Sequence, residues 1–214
     1  MRDAARPESE PDQAAVVAFL SDPASYPHRP AAVEAIETHM SRVFLAGPFA
    51  FKMKRALRLS FVDFTSLEAR RLNSEREVAL NQCLAPGVYE AVVPVTRGTE
   101  GQLAIGGAGE PCEWLVRMRK LDRAHLLDRA ILSGEAKPAD IDRLTALLAG
   151  FYAETARINI TAADLLQWWR EALARVRTTL TSPLFALPAS KVEAGLGYLE
   201  RFLVNRADLI VARA

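Results

Sequence analysis

The sequence FLAGPFAFKMKRALRL, residues 44–59, decides the fold that we expect for this chain. Gly47 and Pro48 predict a tight turn, and the apolar segments on both sides of it predict the two strands of a hairpin. In the second strand apolar and cationic side chains alternate, so Lys52 and Lys54 lie on one face. They need an anionic partner, because an unpaired ammonium group is costly to remove from water.

The segment that follows the hairpin, residues 63–86, predicts a helix that carries this partner. Thr65 and Glu68 are placed as a capping box at its start, and Pro86 follows its end. Glu77 lies on the side that we expect to face the core, whereas Glu75 points elsewhere. The apolar residues expected on that side are Leu72, Val78, Leu80 and Leu84.

Strands and helices are segregated along the rest of the chain. Residues 13–21 predict a short helix, residues 88–97 and 112–121 predict two more strands, and the glycines of residues 106–109 predict a plain hairpin connection. Almost everything after residue 121 predicts helices, with Thr161 as the N-cap of one of them. The expected fold is α+β, with a disordered segment 1–12, a sheet lobe 13–121 and a helical lobe 122–214.

Composition excludes several classes of function. The 214 residues include 27 Lys plus Arg against 26 Asp plus Glu, so nucleic acid is not an expected partner. The absence of a long uncharged apolar run excludes a membrane span, and we expect a cytoplasmic protein. Cys83 and Cys112 have neither close spacing nor a nearby His, which predicts structural thiols and no metal site.

Four segments together resemble a known family. They are THMSRVFLAGPFAFKMKR, SFVDFTSLEARR, EREVALNQCLAPGVYEAVVPVTR and EWLVRMRKL. In this order and at these separations they resemble the N-terminal half of the aminoglycoside phosphotransferase-like kinases, in particular the bacterial group often fused to a P-loop ATP-binding domain. The similarity covers about residues 14–155. It implies a protein-kinase-like fold, with a small sheet lobe and one crossing helix before a helical lobe, and ATP as the ligand.

The resemblance also implies roles for single residues. Lys52 matches the strand lysine that holds the nucleotide phosphates, and Glu77 matches its partner on the helix. Lys54 is an alternative phosphate ligand, although the reading we prefer is a solvated residue at the sheet edge. Thr38 and Ser41 take the place of the nucleotide-covering loop, where their hydroxyls bind phosphate or form an ordinary turn.

Residues 112–121 correspond to the strand that leads into the hinge between kinase lobes. The backbone of Met118, Arg119 and Lys120 is expected to bind the adenine edge, while Val116 or Met118 lines an apolar pocket. The alternative is a buried core strand, and both descriptions can hold together.

The family's catalytic loop has no counterpart in this sequence. Phosphoryl transfer needs a carboxylate that orients the acceptor and oxygen ligands for Mg²⁺, which the family supplies in a His-Gly-Asp loop, a later Asn and a second Asp. The nearest lookalikes, HLLD at residues 125–128 and Asp63-Phe64, stand in the wrong order. We therefore expect an ATP-binding portion of a small-molecule kinase that is truncated and inactive alone, with Mg²⁺ bound only when the missing part is present.

Two other functions remain open. The first is a kinase-derived interaction or dimerisation module, in which a partner or a second copy covers an apolar helical surface. The second is an active enzyme that takes its acid from Asp140, Asp142 or Glu154. The residues expected on the apolar surface are Leu165, Trp168, Trp169, Leu196, Phe202 and Leu203.

Overall fold

The computed structural model describes residues 13–59, 61–156 and 160–212, and the predicted disordered segment 1–12 lies outside them. The chain has a mixed α+β fold with a curled antiparallel sheet. Contacts divide it into two compact units on either side of the Glu154–Thr155 bond. The lobe boundary near residue 121 stays a prediction.

The first unit is built on a six-stranded sheet and one long helix. The strand order is β1-β2-β3-β8-β6-β7, and a separate two-stranded ribbon pairs β4 with β5. The elements are α1 (Gln13–Ser21), β1 (Val33–Glu37), β2 (Ser41–Ala46), β3 (Phe49–Lys54), β4 (Arg58–Leu59), β5 (Val62–Asp63), α2 (Leu67–Leu84), β6 (Tyr89–Arg97), β7 (Leu103–Ile105), β8 (Glu110–Arg119), α3 (Leu127–Leu132) and α4 (Pro138–Glu154), with short 3-10 turns at Pro23–Ser25 and Arg123–His125.

The predicted hairpin is present as β2 and β3. Gly47 adopts a φ of 59°, which a residue without Cβ adopts at little cost, and this closes the turn. Phe44 lies opposite Phe51 in the register, so both project from the same face. Val16 of α1, Met53 and these two phenylalanines belong to the buried core on that face.

Helix α2 covers the other face of the sheet, and two details of its prediction are wrong. Its N-cap is Ser66, whose hydroxyl accepts from the Ala69 N–H at 3.1 Å, because Thr65 donates its own hydroxyl to Asp63 instead. Leu72 and Leu80, expected in the core, are exposed. The helix buries a largely polar side because the strands beneath it carry charged residues, and the buried residues are Arg70, Ser74 and Val78.

The glycine-rich segment 106–109 joins two strands, as predicted, but it is not a hairpin. Strand β6 lies between β7 and β8 in the sheet, so the connection passes the end of β6. A Cβ on Gly109 would stand 2.2 Å from the carbonyl oxygen of Arg97, the last residue of β6. A glycine is therefore required where the two backbones approach.

The second unit consists of helices. Thr161 caps the first of them as predicted, in a capping box with Asp164. Arg177 donates to Glu200 at 2.8 Å and also binds Glu193, which ties two of the helices together. The elements are α5 (Ala162–Leu180), a 3-10 turn at Pro183–Phe185, α6 (Ala189–Asn205) and α7 (Ala207–Val211).

The helices of both units were compared with the length and hydropathy of a membrane span. No helix within residues 13–59, 61–156 and 160–212 is long and apolar enough to cross a membrane.

Candidate functional site

Two lysines of β3 and one glutamate of α2 form a cluster between the sheet and the helix. Lys52 donates from Nζ to Glu77 Oε1 at 2.7 Å, and Lys54 donates from Nζ to Glu77 Oε2. Both lysines project from the α2-facing side of β3 because they are two residues apart on one strand. The expected contact between Lys52 and Glu77 is thus present, and Lys54 shares the same carboxylate.

The carboxyl group of Glu77 is held in its ionised form. Burial by itself raises the pKa of Glu77, but the hydrogen bonds and charges of Lys52 and Lys54 outweigh this effect and keep the pKa below its ordinary value. Two cations then share one anion, and the cluster carries one net positive charge. An anionic ligand is therefore favoured beside it.

The two lysines differ in their access to solvent. The Lys52 side chain is 28% exposed, whereas that of Lys54 is only 7% exposed. The prediction that Lys54 is a solvated edge residue is wrong. Its amino group binds Glu77 of α2 and lies 5.7 Å from the centre of the Phe64 ring. Lys52 is the cation that a ligand can reach.

A second buried charge pair lies beside this cluster. Arg70 donates from Nε to Glu113 Oε1 at 2.9 Å, and both side chains are almost fully buried, at 1% and 0% exposed. Arg70 also donates to the carbonyls of Phe64 and Thr65, each at 2.9 Å. Gln13 donates to Glu113 Oε2 at 2.7 Å. These bonds attach α2 to β8 and fix its position over the lysines.

Sequence reasoning missed this second pair. The available signals were a lone glutamate inside the apolar strand sequence CEWLV and an arginine two turns before Glu77 on the same helix. Neither signal is specific, because surface arginines and strand-edge glutamates are common.

The sheet continues from Lys52 as an apolar floor. Val43 and Val116 lie opposite Lys52 in the register, on either side of β3, and Leu45 and Met118 lie opposite Ala50 in the same way. Val116 is fully buried, so its side chain is not accessible to a ligand. Met118 is half-buried.

Two of the three residues predicted to bind the adenine edge, Arg119 and Lys120, already use their backbone amides within the protein. The backbone N–H of Arg119 donates to the Val88 carbonyl, and that of Lys120 donates to the Pro48 carbonyl, each at 2.8 Å. Beyond them a groove of about 500 Å³ opens, and two of the residues that line it, Arg123 and Glu34, form an ion pair at 2.8 Å. Its lining residues are Glu34, Leu45, Gly47, Pro48, Lys120, Leu121, Asp122 and Arg123.

The turn between β1 and β2 is closed by hydrogen bonds between its own residues. Thr38 Oγ1 accepts from the Ser41 N–H at 3.0 Å and donates to the Ser41 carbonyl at 2.9 Å. Ser41 is buried, and Arg55 donates to the Thr38 and His39 carbonyls. This geometry favours the ordinary turn over a phosphate-binding loop.

Carboxylates do not form a metal site in the described part of the chain, where no three His, Cys, Asp or Glu side chains group to hold an ion. Asp140, one of the three alternative acids, accepts from the Lys137 N–H at 2.9 Å and binds Arg143 at the start of α4. Asp142 and Glu154 are exposed on the same helix.

In comparisons with known proteins, no family profile, curated protein or solved structure matches this chain. A proposal of function therefore rests on the residues, their geometry and the sequence resemblance.

Proposed function

We propose that this protein binds ATP on the α2-facing side of its sheet, with the phosphates at Lys52. The observation that carries the proposal is a reachable ammonium group held at 2.7 Å by a half-buried carboxylate, in a cluster with one positive charge in excess. A phosphate ligand would supply the missing negative charge. Its hydrogen bond to Lys52 would join two ionised groups, which makes such bonds the stronger ones.

The position of the pair along the chain supports a kinase-like ligand. In protein kinases the phosphate-binding lysine lies on the third strand, and its glutamate partner lies on the helix that follows. Lys52 lies on β3, and Glu77 lies on α2, the first long helix after it. The sequence resemblance to aminoglycoside phosphotransferase-like kinases supports the same ligand. We propose on these grounds that the chain is the ATP-binding portion of such a small-molecule kinase.

The groove beside Lys120 is the place we propose for the base. Leu45 lines this groove and lies opposite Ala50, which is two residues, or about 7 Å, along β3 from Lys52. Because the amides of Arg119 and Lys120 bind other carbonyls, the adenine edge would bind to the backbone after Lys120. The proposed adenine contact therefore lies just after the predicted one, which was the backbone of residues 118–120.

Calorimetric titration of the full chain with ATP tests the proposal. We expect Lys52→Ala to abolish measurable binding. Arg42→Ala is the matched control, because Arg42 is a cation of the neighbouring strand whose register partner, Met53, lies on the opposite face. Arg42→Ala should bind ATP as the wild type does. Equal ATP affinity in Lys52→Ala and the wild type would overturn the proposal.

Self-association through the helical unit is the second candidate function. An apolar groove of about 640 Å³ is open in this unit, and Trp169 and Phe202 beside it are 43% and 41% exposed. Of the six residues predicted on this surface, Trp168, Trp169 and Phe202 are exposed, Leu165 and Leu203 are half-buried, and Leu196 is buried. Sedimentation at increasing concentration distinguishes the two functions. Self-association of both the wild type and Lys52→Ala, together with no measurable ATP binding by the wild type, would favour the second.

A further inference from the structure

Lys54 is almost fully buried. Its amino group donates to Glu77 and lies over the Phe64 ring, and its side chain is 7% exposed. Its backbone is held as well, because Gln13 donates from Nε2 to the Lys54 carbonyl at 2.9 Å and accepts from the Ala56 N–H at 2.9 Å. Lys54 is therefore a fixed cation, oriented towards the helix.

Glu77 uses its two oxygens separately. Oε1 accepts from Lys52 and Oε2 accepts from Lys54, so any rotation of the carboxylate short of a half-turn would break at least one of the two bonds. The two lysines have unequal freedom, since Lys52 is partly exposed and Lys54 is enclosed. The enclosed partner determines the orientation of the carboxylate.

We propose that Lys54 is a positioning residue that holds Glu77 with Oε1 towards Lys52 and neutralises its charge, whether or not a ligand is bound. The inference rests on the proposed binding of ATP at Lys52. With Lys54 and Glu77 together neutral, Lys52 keeps its positive charge for the phosphates. Without Lys54, Lys52 and Glu77 neutralise each other, and the site loses its attraction for an anion although Lys54 touches no ligand.

Lys54→Met in the full chain tests this role through two measurements. The first is ATP affinity by calorimetry, which we expect to weaken about tenfold, the effect of removing one charge at this range. The second is the ¹³C titration of the Glu77 carboxyl, assigned by its loss in Glu77→Gln. Its pKa should rise in Lys54→Met, because burial is then opposed by one lysine alone. Lys54→Arg, which keeps the positive charge, should have an ATP affinity and a Glu77 pKa close to those of the wild type.

Arg71→Met is the control for a cation lost from the same region. Arg71 lies on α2 and binds Glu68 at 2.6 Å on the exposed side, so neither ATP affinity nor the Glu77 titration should change. Lys54→Gln, which is neutral and polar, replaces Lys54→Met if circular dichroism shows that the methionine variant does not fold.

The outcomes separate the two proposals. An unchanged Glu77 titration in the neutral variant, with unchanged ATP affinity, would overturn the role of Lys54. A wild type that binds no ATP would overturn the proposed function, while the carboxyl titration would still decide whether Lys54 positions Glu77. A weaker affinity with an unchanged titration would also overturn the positioning role, because the loss would then have another cause.

Discussion

Replacing Arg70 by methionine should destabilise the sheet unit strongly. The substitution keeps most of the volume but leaves Glu113 buried with its charge uncompensated, since among the described residues the donors that remain are the neutral Gln13 side chain and the Trp114 N–H. It also removes the donor to the carbonyls of Phe64 and Thr65. Breaking one side of a buried ion pair costs about 3–5 kcal/mol, which for a chain of this size lowers the midpoint of thermal unfolding by roughly 6–20 °C.

Urea unfolding followed by circular dichroism measures this cost, and hydrogen exchange of the β8 amides assigns the transition to the sheet unit. Arg71→Met is the matched control, because Arg71 is the next residue of the same helix and its ion pairs are exposed. Its midpoint should stay close to that of the wild type. The double variant Arg70→Met with Glu113→Leu should recover much of the lost stability, because it removes both charges.

A loss in Arg70→Met below about 1 kcal/mol would refute the reasoning, since this is the size of an exposed ion pair. It would mean that the Arg70–Glu113 pair does not hold α2 to the sheet. If the double variant does not regain stability, the loss comes from the packing of the Arg70 side chain and not from the unpaired charge of Glu113.

Two further predictions concern Glu77 and Gly109. The folded pKa of Glu77 lies below its unfolded value of about 4.3, so the stability that its ionisation contributes is present above that pH and is lost as the pH falls further. The difference in urea midpoint between the wild type and Glu77→Gln should therefore stay constant from pH 8 to about pH 5 and shrink below about pH 4; a constant difference down to pH 3 would contradict this. Gly109→Ala should lower the urea midpoint, because its Cβ would stand 2.2 Å from the Arg97 carbonyl oxygen, whereas Gly150→Ala, which meets nothing within 4 Å, should not. Equal midpoints for the two alanine variants would contradict the close approach.

The hairpin of β2 and β3 could be predicted because its signals are local. The turn is set by Gly47 and Pro48, and the period of two along β3 places Lys52 and Lys54 on one face. The N-cap at Thr161 is local in the same sense, because its hydroxyl binds an amide three residues later. Such features depend on neighbours in sequence, which a single chain displays directly.

The buried side of α2 could not be predicted in the same way. Its apolar residues suggested that Leu72 and Leu80 face the core, yet both are exposed and Arg70 is buried. The reason lies 43 residues away in sequence, where Glu113 on β8 offers the arginine a partner. A polar side of a helix can be buried when the facing strands offer charged partners to it. Which strand faces the helix is decided by the tertiary fold, and the helix sequence alone does not reveal it.

The sequence by itself determined the two-lysine strand, its helix-borne glutamate and the segregation of sheet and helices. Only the tertiary structure decided how the two lysines divide their roles. Lys52 and Lys54 are equivalent by periodicity, but Lys54 is buried beside Glu77 and Phe64, whereas Lys52 is partly exposed. Burial depends on elements that cross in space, and it is burial that leaves Lys52 as the cation within reach of a ligand.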